Sequence, residues 1–170
     1  WNISEFNVEN ETEVFDASSF CASSVRTVNA PSGITQIGED AFRYASNFST
    51  SGIISSNLTN LGIHAFDSTD LRYVEISENL TSIPQYAFYS CSALTSINFS
   101  NINTENLTTM AYTYYGCSAL TTLTGLGSLD VSNMVNFSNV FRGCSKITSF
   151  NLGSWEVTDK CTTMASMFYD

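Results

Sequence analysis

The chain has 170 residues, 43% hydrophobic and 13% charged, with 6 Lys and Arg against 16 Asp and Glu for a formal charge of −10. That length and apolar share suit one domain with a filled core, and the scarcity of cations excludes a nucleic-acid partner and an anionic membrane surface. No apolar run of about 18–20 residues is present, which excludes a membrane-spanning helix, and the acidity favours a soluble, extracellular chain.

Residues 1–16 come first as a separate segment. Trp1, Ile3, Phe6 and Val8 alternate with polar residues, so they read as a strand that caps the rest of the domain or pairs with another chain. Starting at Trp1, with no initiator Met and no signal-peptide pattern, the chain reads as a processed or trimmed product. Glu9, Glu11, Glu13 and Asp16 read as a solvated face; the alternative, a weak calcium site, lacks the regular Asp spacing of an EF-hand loop.

From 17 to 170 one pattern repeats about six times. An aromatic recurs at Phe42, Phe66, Phe88, Tyr114, Phe141 and Phe168, at spacings of 24, 22, 26, 27 and 27. A period of that size is the mark of a solenoid, in which each coil buries its apolar side only by stacking on its neighbours. The first kind of repeat covers about 20–90. Its fullest copy is Leu71, Val74, Ile76, Leu80, Ile83, Pro84, Ala87 and Phe88, and the same offsets from Val25 give Val28, Ala30, Ile34, Ile37, Gly38, Ala41 and Phe42. The copy between them is less regular, with two extra residues near Thr50-Ser51-Gly52. The second kind covers about 91–170, from Cys91-Ser-Ala-Leu94 through Gly116-Cys117 and Gly143-Cys144 to Met164, Met167 and Phe168.

Strand side chains alternate between faces. Val74 with Ile76, Ile97 with Phe99, Leu123 with Thr124 or Leu126, and Phe150 with Leu152 therefore mark a short strand in each coil, and stacked coils pair them into a parallel sheet. Spacings of three and four at Met164, Met167 and Phe168 predict short helices or turns opposite. The fold class is thus a repeat solenoid, mainly β or α/β in type. Cys91, Cys117 and Cys144 share one repeat position and are expected to stack inward as free thiols, with a disulfide between neighbouring coils left open. Cys21 and Cys161 lie off that column. One His and no C-x₂-C pair argue against zinc. His64, in a turn, reads as solvated.

Ile34-Thr-Gln-Ile37-Gly38-Glu-Asp-Ala41-Phe42 and Leu80-Thr-Ser-Ile83-Pro84-Gln-Tyr-Ala87-Phe88 resemble the BspA-type leucine-rich repeat. Cys144-Ser-Lys-Ile147-Thr-Ser-Phe150, Trp155-Glu-Val157-Thr158 and Met164-Ala-Ser-Met167-Phe168 resemble a related repeat of bacterial surface proteins. Thr113, Tyr114, Phe137 and Val140 depart from that second pattern. The resemblance spans about 17–170 and implies leucine-rich-repeat coils on a cell surface, often in adhesion, with no catalytic residues to carry over.

The outward strand positions form the expected ligand face: Arg26, Asn29, Arg72, Tyr73, Glu75, Thr95, Asn98, Thr122, Thr124, Ser149 and Asn151. These hydroxyls and amides suit a protein or glycan ligand, and they equally suit exposed strands with no ligand at all. Asn-x-Ser/Thr sequons at Asn2, Asn10, Asn47, Asn57, Asn79, Asn98, Asn106 and Asn136 are glycosylation candidates, and a glycan at Asn98 would occupy that face. No catalytic constellation, cofactor motif or metal set is found. No cap follows Met164, Met167 and Phe168, so that end is expected to assemble with copies of the chain or to continue into a longer repeat array. The expected function is a non-enzymatic extracellular or cell-surface module for adhesion or protein/glycan binding, the alternative being a structural subunit of a surface appendage or filament. Ice binding, through Thr122-x-Thr124, is a weaker option because the columns are irregular.

Overall fold

The computed structural model describes residues 5–7, 14–29, 34–49, 57–80, 82–100, 102–153 and 155–170. Its strands are short and follow the predicted alternation: β1 (Glu5–Asn7), β2 (Val14–Phe15), β3 (Thr27–Asn29), β4 (Gln36–Ile37), β5 (Asn60–Leu61), β6 (Tyr73–Glu75), β7 (Ser96–Asn98) and β8 (Thr122–Thr124). All their pairings are parallel, as stacked coils require. In one ladder β6, β7 and β8 place Val74 beside Ile97 beside Leu123, and β1 pairs with β3 with Phe6 beside Val28.

A second ladder runs along another side of the coils. It joins β2, β4 and β5, with Phe15 beside Ile37 beside Leu61; separate single bridges at the same repeat position link Thr109 to Asn136 and Asn136 to Thr163. Each of these residues lies 5 positions before a column aromatic, so both kinds of repeat use the same edge.

The side predicted to hold short helices or turns holds turns; the one helical segment among the described residues is a 3₁₀ turn at Leu126–Ser128. Each turn is tied to the next by the amide of its aromatic. Phe42 N–H donates to Ala65 O at 2.8 Å, Phe66 to Ala87 O at 2.8 Å, Phe88 to Thr113 O at 3.0 Å, Tyr114 to Val140 O at 3.1 Å and Phe141 to Met167 O at 2.9 Å. The residues two before and two after the aromatic are left-handed, as at Tyr86 (φ 61) and Ser90 (φ 54), or Tyr112 (φ 59) and Gly116 (φ 72). Non-glycine residues tolerate that conformation at a cost of about 1–2 kcal/mol each, which the bonds between coils offset.

The aromatics form one continuous stack through the core. Centroid separations are 5.0 Å from Phe20 to Phe42, then 5.3, 5.6, 5.4, 5.7 and 5.6 Å on through Phe66, Phe88, Tyr114, Phe141 and Phe168. Phe20 thus extends the column one coil before Phe42, the first aromatic of the sequence pattern. Tyr114 is fully buried and its hydroxyl has no hydrogen-bond partner among the described residues, and burial pushes its phenol well above the ordinary range.

Cys91, Cys117 and Cys144 line up as expected, and all three are free and buried. Each thiol donates to the carbonyl of an aromatic in a preceding coil: Cys91 to Phe66 (3.0 Å), Cys117 to Phe88 (3.2 Å) and Cys144 to Tyr114 (3.2 Å). Burial pushes the Cys91 thiol up to about 11 and raises Cys117 as well, so both stay protonated at neutral pH.

The last coil departs from expectation. Phe150 and Leu152 do not mark a strand, and residues 147–152 make no backbone bond to β8 among the described residues. Asn151 Oδ1 instead accepts from Gly153 N–H at 2.7 Å, and the Phe150 ring stacks on Phe168 at 4.1 Å. Val157 and Met164 are exposed because no described coil lies beyond them.

Candidate functional site

The outward side of the first ladder is an open polar face. Arg72, Tyr73, Glu75, Thr95, Thr122 and Thr124 are exposed along it and Asn98 is half-buried; Arg26 and Asn29 are exposed beside the separate β1–β3 pair, and Ser149 and Asn151, expected on the same strand face, are exposed on the last coil where no strand forms. Part of this polarity belongs to the fold. Asn29 Nδ2 donates to Glu5 Oε1 at 2.7 Å and to Asn7 Oδ1 at 2.8 Å, and Thr95 Oγ1 donates to Arg72 O at 2.9 Å. Asn98 Oδ1 accepts from the amide of Ser100, as Asn151 does from Gly153. These are ladder and turn bonds. Tyr73 donates to Glu75 Oε2 at 3.3 Å and leaves its ring 38% exposed.

At the N-terminal part of this face the surface dips. Arg26, Asn47, Ser49, Asp70 and Arg72 line a concavity of about 540 Å³. Its walls come from stacked backbone: Ser49 N–H donates to Arg26 O at 3.1 Å, and Asp70 N–H to Phe48 O at 2.9 Å. Asn47, Ser49 and Asp70 were not singled out as ligand residues from the sequence, because a dip between coils has no signature in any one coil.

The turn side carries a second feature that the sequence reading missed. His64, Tyr86 and Tyr112 stack at 4.6 and 4.9 Å, beside Tyr89 stacked on Tyr115 at 4.8 Å. The Arg142 guanidinium continues this second row, 5.7 Å from the Tyr115 ring and 5.0 Å from that of Tyr169. His64 is therefore not a solvated turn residue; it is half-buried, with Nδ1 3.0 Å from Asp67 Oδ2. Asp67 also holds Arg43 at 3.1 Å. The signal was present as Tyr at fixed offsets in two successive repeats.

Of the sequon asparagines, Asn47, Asn57, Asn79 and Asn106 are exposed and Asn136 is half-buried, with its Oδ1 accepting from Ser138 N–H at 2.8 Å. Asn2 and Asn10, like most of the acidic run and residues 50–52, lie outside the described residues. At the last coil Met167 is buried, whereas Met164 is 41% and Phe168 38% exposed. A cavity of about 170 Å³ there is lined by Phe141, Ile147, Phe150 and Phe168 among others. Among the described residues, no group of three or more His, Cys, Asp or Glu could hold a metal ion, and no helix is long and apolar enough to cross a membrane.

Two family models match. Residues 1–121 match the BspA type leucine rich repeat region, in 6 copies, and residues 83–170 match a Mycoplasma protein of unknown function, DUF285. None of the curated proteins matches. Solved structures share the fold. A leucine-rich repeat protein from Bacteroides ovatus is 20% identical over 78% of this chain and 41% of its own, with a TM-score of 0.58. One from Eubacterium ventriosum is 18% identical over 88% and 39%, with a TM-score of 0.67. The pneumococcal vaccine antigen PcpA is 17% identical over 81% and 41%, with a TM-score of 0.52. The chain thus spans about two fifths of the length of each of these relatives.

Proposed function

We propose, from the premise that this chain belongs to the BspA type leucine rich repeat family and, through its second half, to the DUF285 family, that it is a non-enzymatic recognition module at a cell surface. The module binds a protein or a glycan through the outward side of the first ladder. The observation that supports this reading is the polar face itself, with exposed Tyr73 and Thr122 in register on parallel strands of one ladder. A rigid scaffold that repeats outward positions at strand spacing presents many weak contacts in fixed register, which suits a flat or extended ligand. The fold shared with a pneumococcal vaccine antigen supports a surface location. Tyr73→Ala and Thr122→Lys are expected to lower capture of host glycoproteins or arrayed glycans while leaving the melting temperature within a few degrees. Unchanged capture by both variants would remove this face.

A second reading is favoured by the last coil. Its carbonyls of Thr163, Ala165, Met167 and Tyr169 accept from the preceding coil, whereas the amides of Met164, Ser166 and Phe168 have no acceptor among the described residues. Exposed Phe150, Met164 and Phe168 surround them. A row of unpaired N–H groups over apolar side chains takes another coil, from the same polypeptide or from a second copy, and in the latter case contacts run head to tail. Sedimentation at rising concentration is expected to show self-association that Phe168→Asp abolishes; a monomer at all concentrations counts against assembly through this face.

A further inference from the structure

Of the 8 tyrosines, Tyr86, Tyr89, Tyr112 and Tyr115 form a quartet on the turn side, two from each of two adjacent coils. They occupy the positions two before and one after the column aromatic. In three other coils the residues at those two positions bond to each other: Arg43 to Asp40 at 3.1 Å, His64 to Asp67 at 3.0 Å and Arg142 to Asn139 at 3.3 Å. The turn therefore forms without tyrosine. In the quartet the two rings of each coil are 5.8 and 6.0 Å apart and half-buried, and the four hydroxyls make no hydrogen bond among the described residues. Stacking already holds the rings, so little side-chain freedom is left to lose on binding. Residues 79–129, which carry the quartet, include one charged residue, Glu105, in a chain of net charge −10.

We propose that this tyrosine face docks a second copy of the chain, turn side to turn side, about a twofold axis that crosses the solenoid between the two tyrosine coils. A phenol hydroxyl both donates and accepts, so a set of four is complementary to itself, as a twofold interface requires. The axis brings Tyr89 opposite Tyr115 of the second copy, and Tyr86 opposite its Tyr112. It also sets the coil of Arg142 opposite the coil of Asp67. Arg142 has no carboxylate within ion-pair distance among the described residues, whereas Asp40, Asp67 and Arg43 together leave one negative charge. Opposite signs thus meet on both sides of the quartet, and its uncharged centre keeps like charges apart. The quartet itself offers a foreign partner no charge to be selected by; complementary charge arises when the face meets its own copy. The contact leaves both sheet sides open, so the pair presents two recognition faces at once. It closes at two copies and is separate from association through the last coil.

The test is sedimentation equilibrium of the full chain carrying Phe168→Asp, which blocks the last coil. Its mass is expected to double as concentration rises and to stop there. Tyr89→Ala and Arg142→Glu, added to that chain, are each expected to raise the dissociation constant about tenfold or more. Tyr89→Phe, which keeps the ring and loses the hydroxyl, is expected to fall between Tyr89→Ala and the parent. Tyr73→Ala, on the sheet side, is expected to stay within about twofold. Arg142→Glu and Tyr89→Phe leave the tyrosine rings in place, so they decide the matter if Tyr89→Ala fails to fold. A monomer at all concentrations would overturn the proposal and leave the quartet to a foreign protein. Growth past two copies, a dimer indifferent to both Tyr89→Ala and Arg142→Glu, or one weakened as much by Tyr73→Ala would also overturn it. If the parent associates and Phe168→Asp abolishes all of it, the last-coil reading stands and this one falls.

Discussion

Phe88→Ala is expected to destabilise the protein by about 3–5 kcal/mol, the range for truncating a fully buried aromatic, and to change how it unfolds. The ring has no exposed area and sits 5.6 Å from Phe66 and 5.4 Å from Tyr114. Removing it opens a void against both neighbours at once. In a solenoid, stability is close to a sum of coil terms and nearest-neighbour interfaces, so a weak central coil uncouples the two ends. The substitution should therefore lower the denaturant slope or split one transition into two. Phe168→Ala, at the exposed end of the same column, is the comparison. Its ring is 38% exposed, so its loss should be about 1–2 kcal/mol with cooperativity kept. Equal effects at the two positions, or a single unchanged transition in Phe88→Ala, would contradict a stack that carries the coupling between coils.

That column was legible because it is periodic and apolar, and what escaped the sequence reading is polar or depends on neighbours. Thr109, Asn136 and Thr163 form single bridges, and their side chains carry no apolar alternation. These bridges link them only to one another, at the repeat position that Phe15, Ile37 and Leu61 hold in earlier coils. Phe20 stands 22 residues before Phe42, a spacing already present elsewhere in the chain, yet its flanking residues lack the Ala-Phe pair that marks the other early copies. Phe150, Val157 and Met164 have the residue types of core positions, but burial in a solenoid is supplied by the next coil, not by the coil itself. The outward face could be read from strand alternation. The concavity could not, since its lining, from Arg26 through Asn47 and Ser49 to Asp70 and Arg72, comes from segments that stack across an irregular repeat.

The same distinction makes Gly62→Ala the second large effect. At this repeat position, four residues before the column aromatic, the chain carries Gly38, Gly62, Pro84, Met110, Phe137 and Met164. Methionine and phenylalanine at equivalent places make an added methyl group look harmless. The backbone geometry says otherwise. A Cβ at Gly62 would lie 2.3 Å from Glu39 N and 2.4 Å from Gly38 C, where real Cβ atoms do not come, and neither atom can move aside as a side chain can. To admit it, the coil containing Phe66 must lift off the one containing Phe42. The bonds from Gly62 N–H to Ile37 O (2.7 Å), Asp40 N–H to Ile63 O (3.0 Å) and Phe42 N–H to Ala65 O (2.8 Å) would then stretch together. The expected cost is about 3 kcal/mol or more, at the upper end for overpacking, and a melting temperature lower by about 6–12 °C for a chain of this size. Gly143→Ala separates close approach from backbone conformation. Gly143 is left-handed at φ 73, yet its added Cβ would come no nearer than 3.4 Å to Gly116 Cα. Eleven other residues among those described hold a left-handed conformation with a side chain attached, so Gly143→Ala should cost only about 1–2 kcal/mol. Thermal melts of the two variants therefore rank the causes: a larger loss in Gly62→Ala means that contact between stacked backbones sets the spacing of the coils. A larger loss in Gly143→Ala would mean that turn conformation sets it, and the coils would then be free to adjust at Gly62.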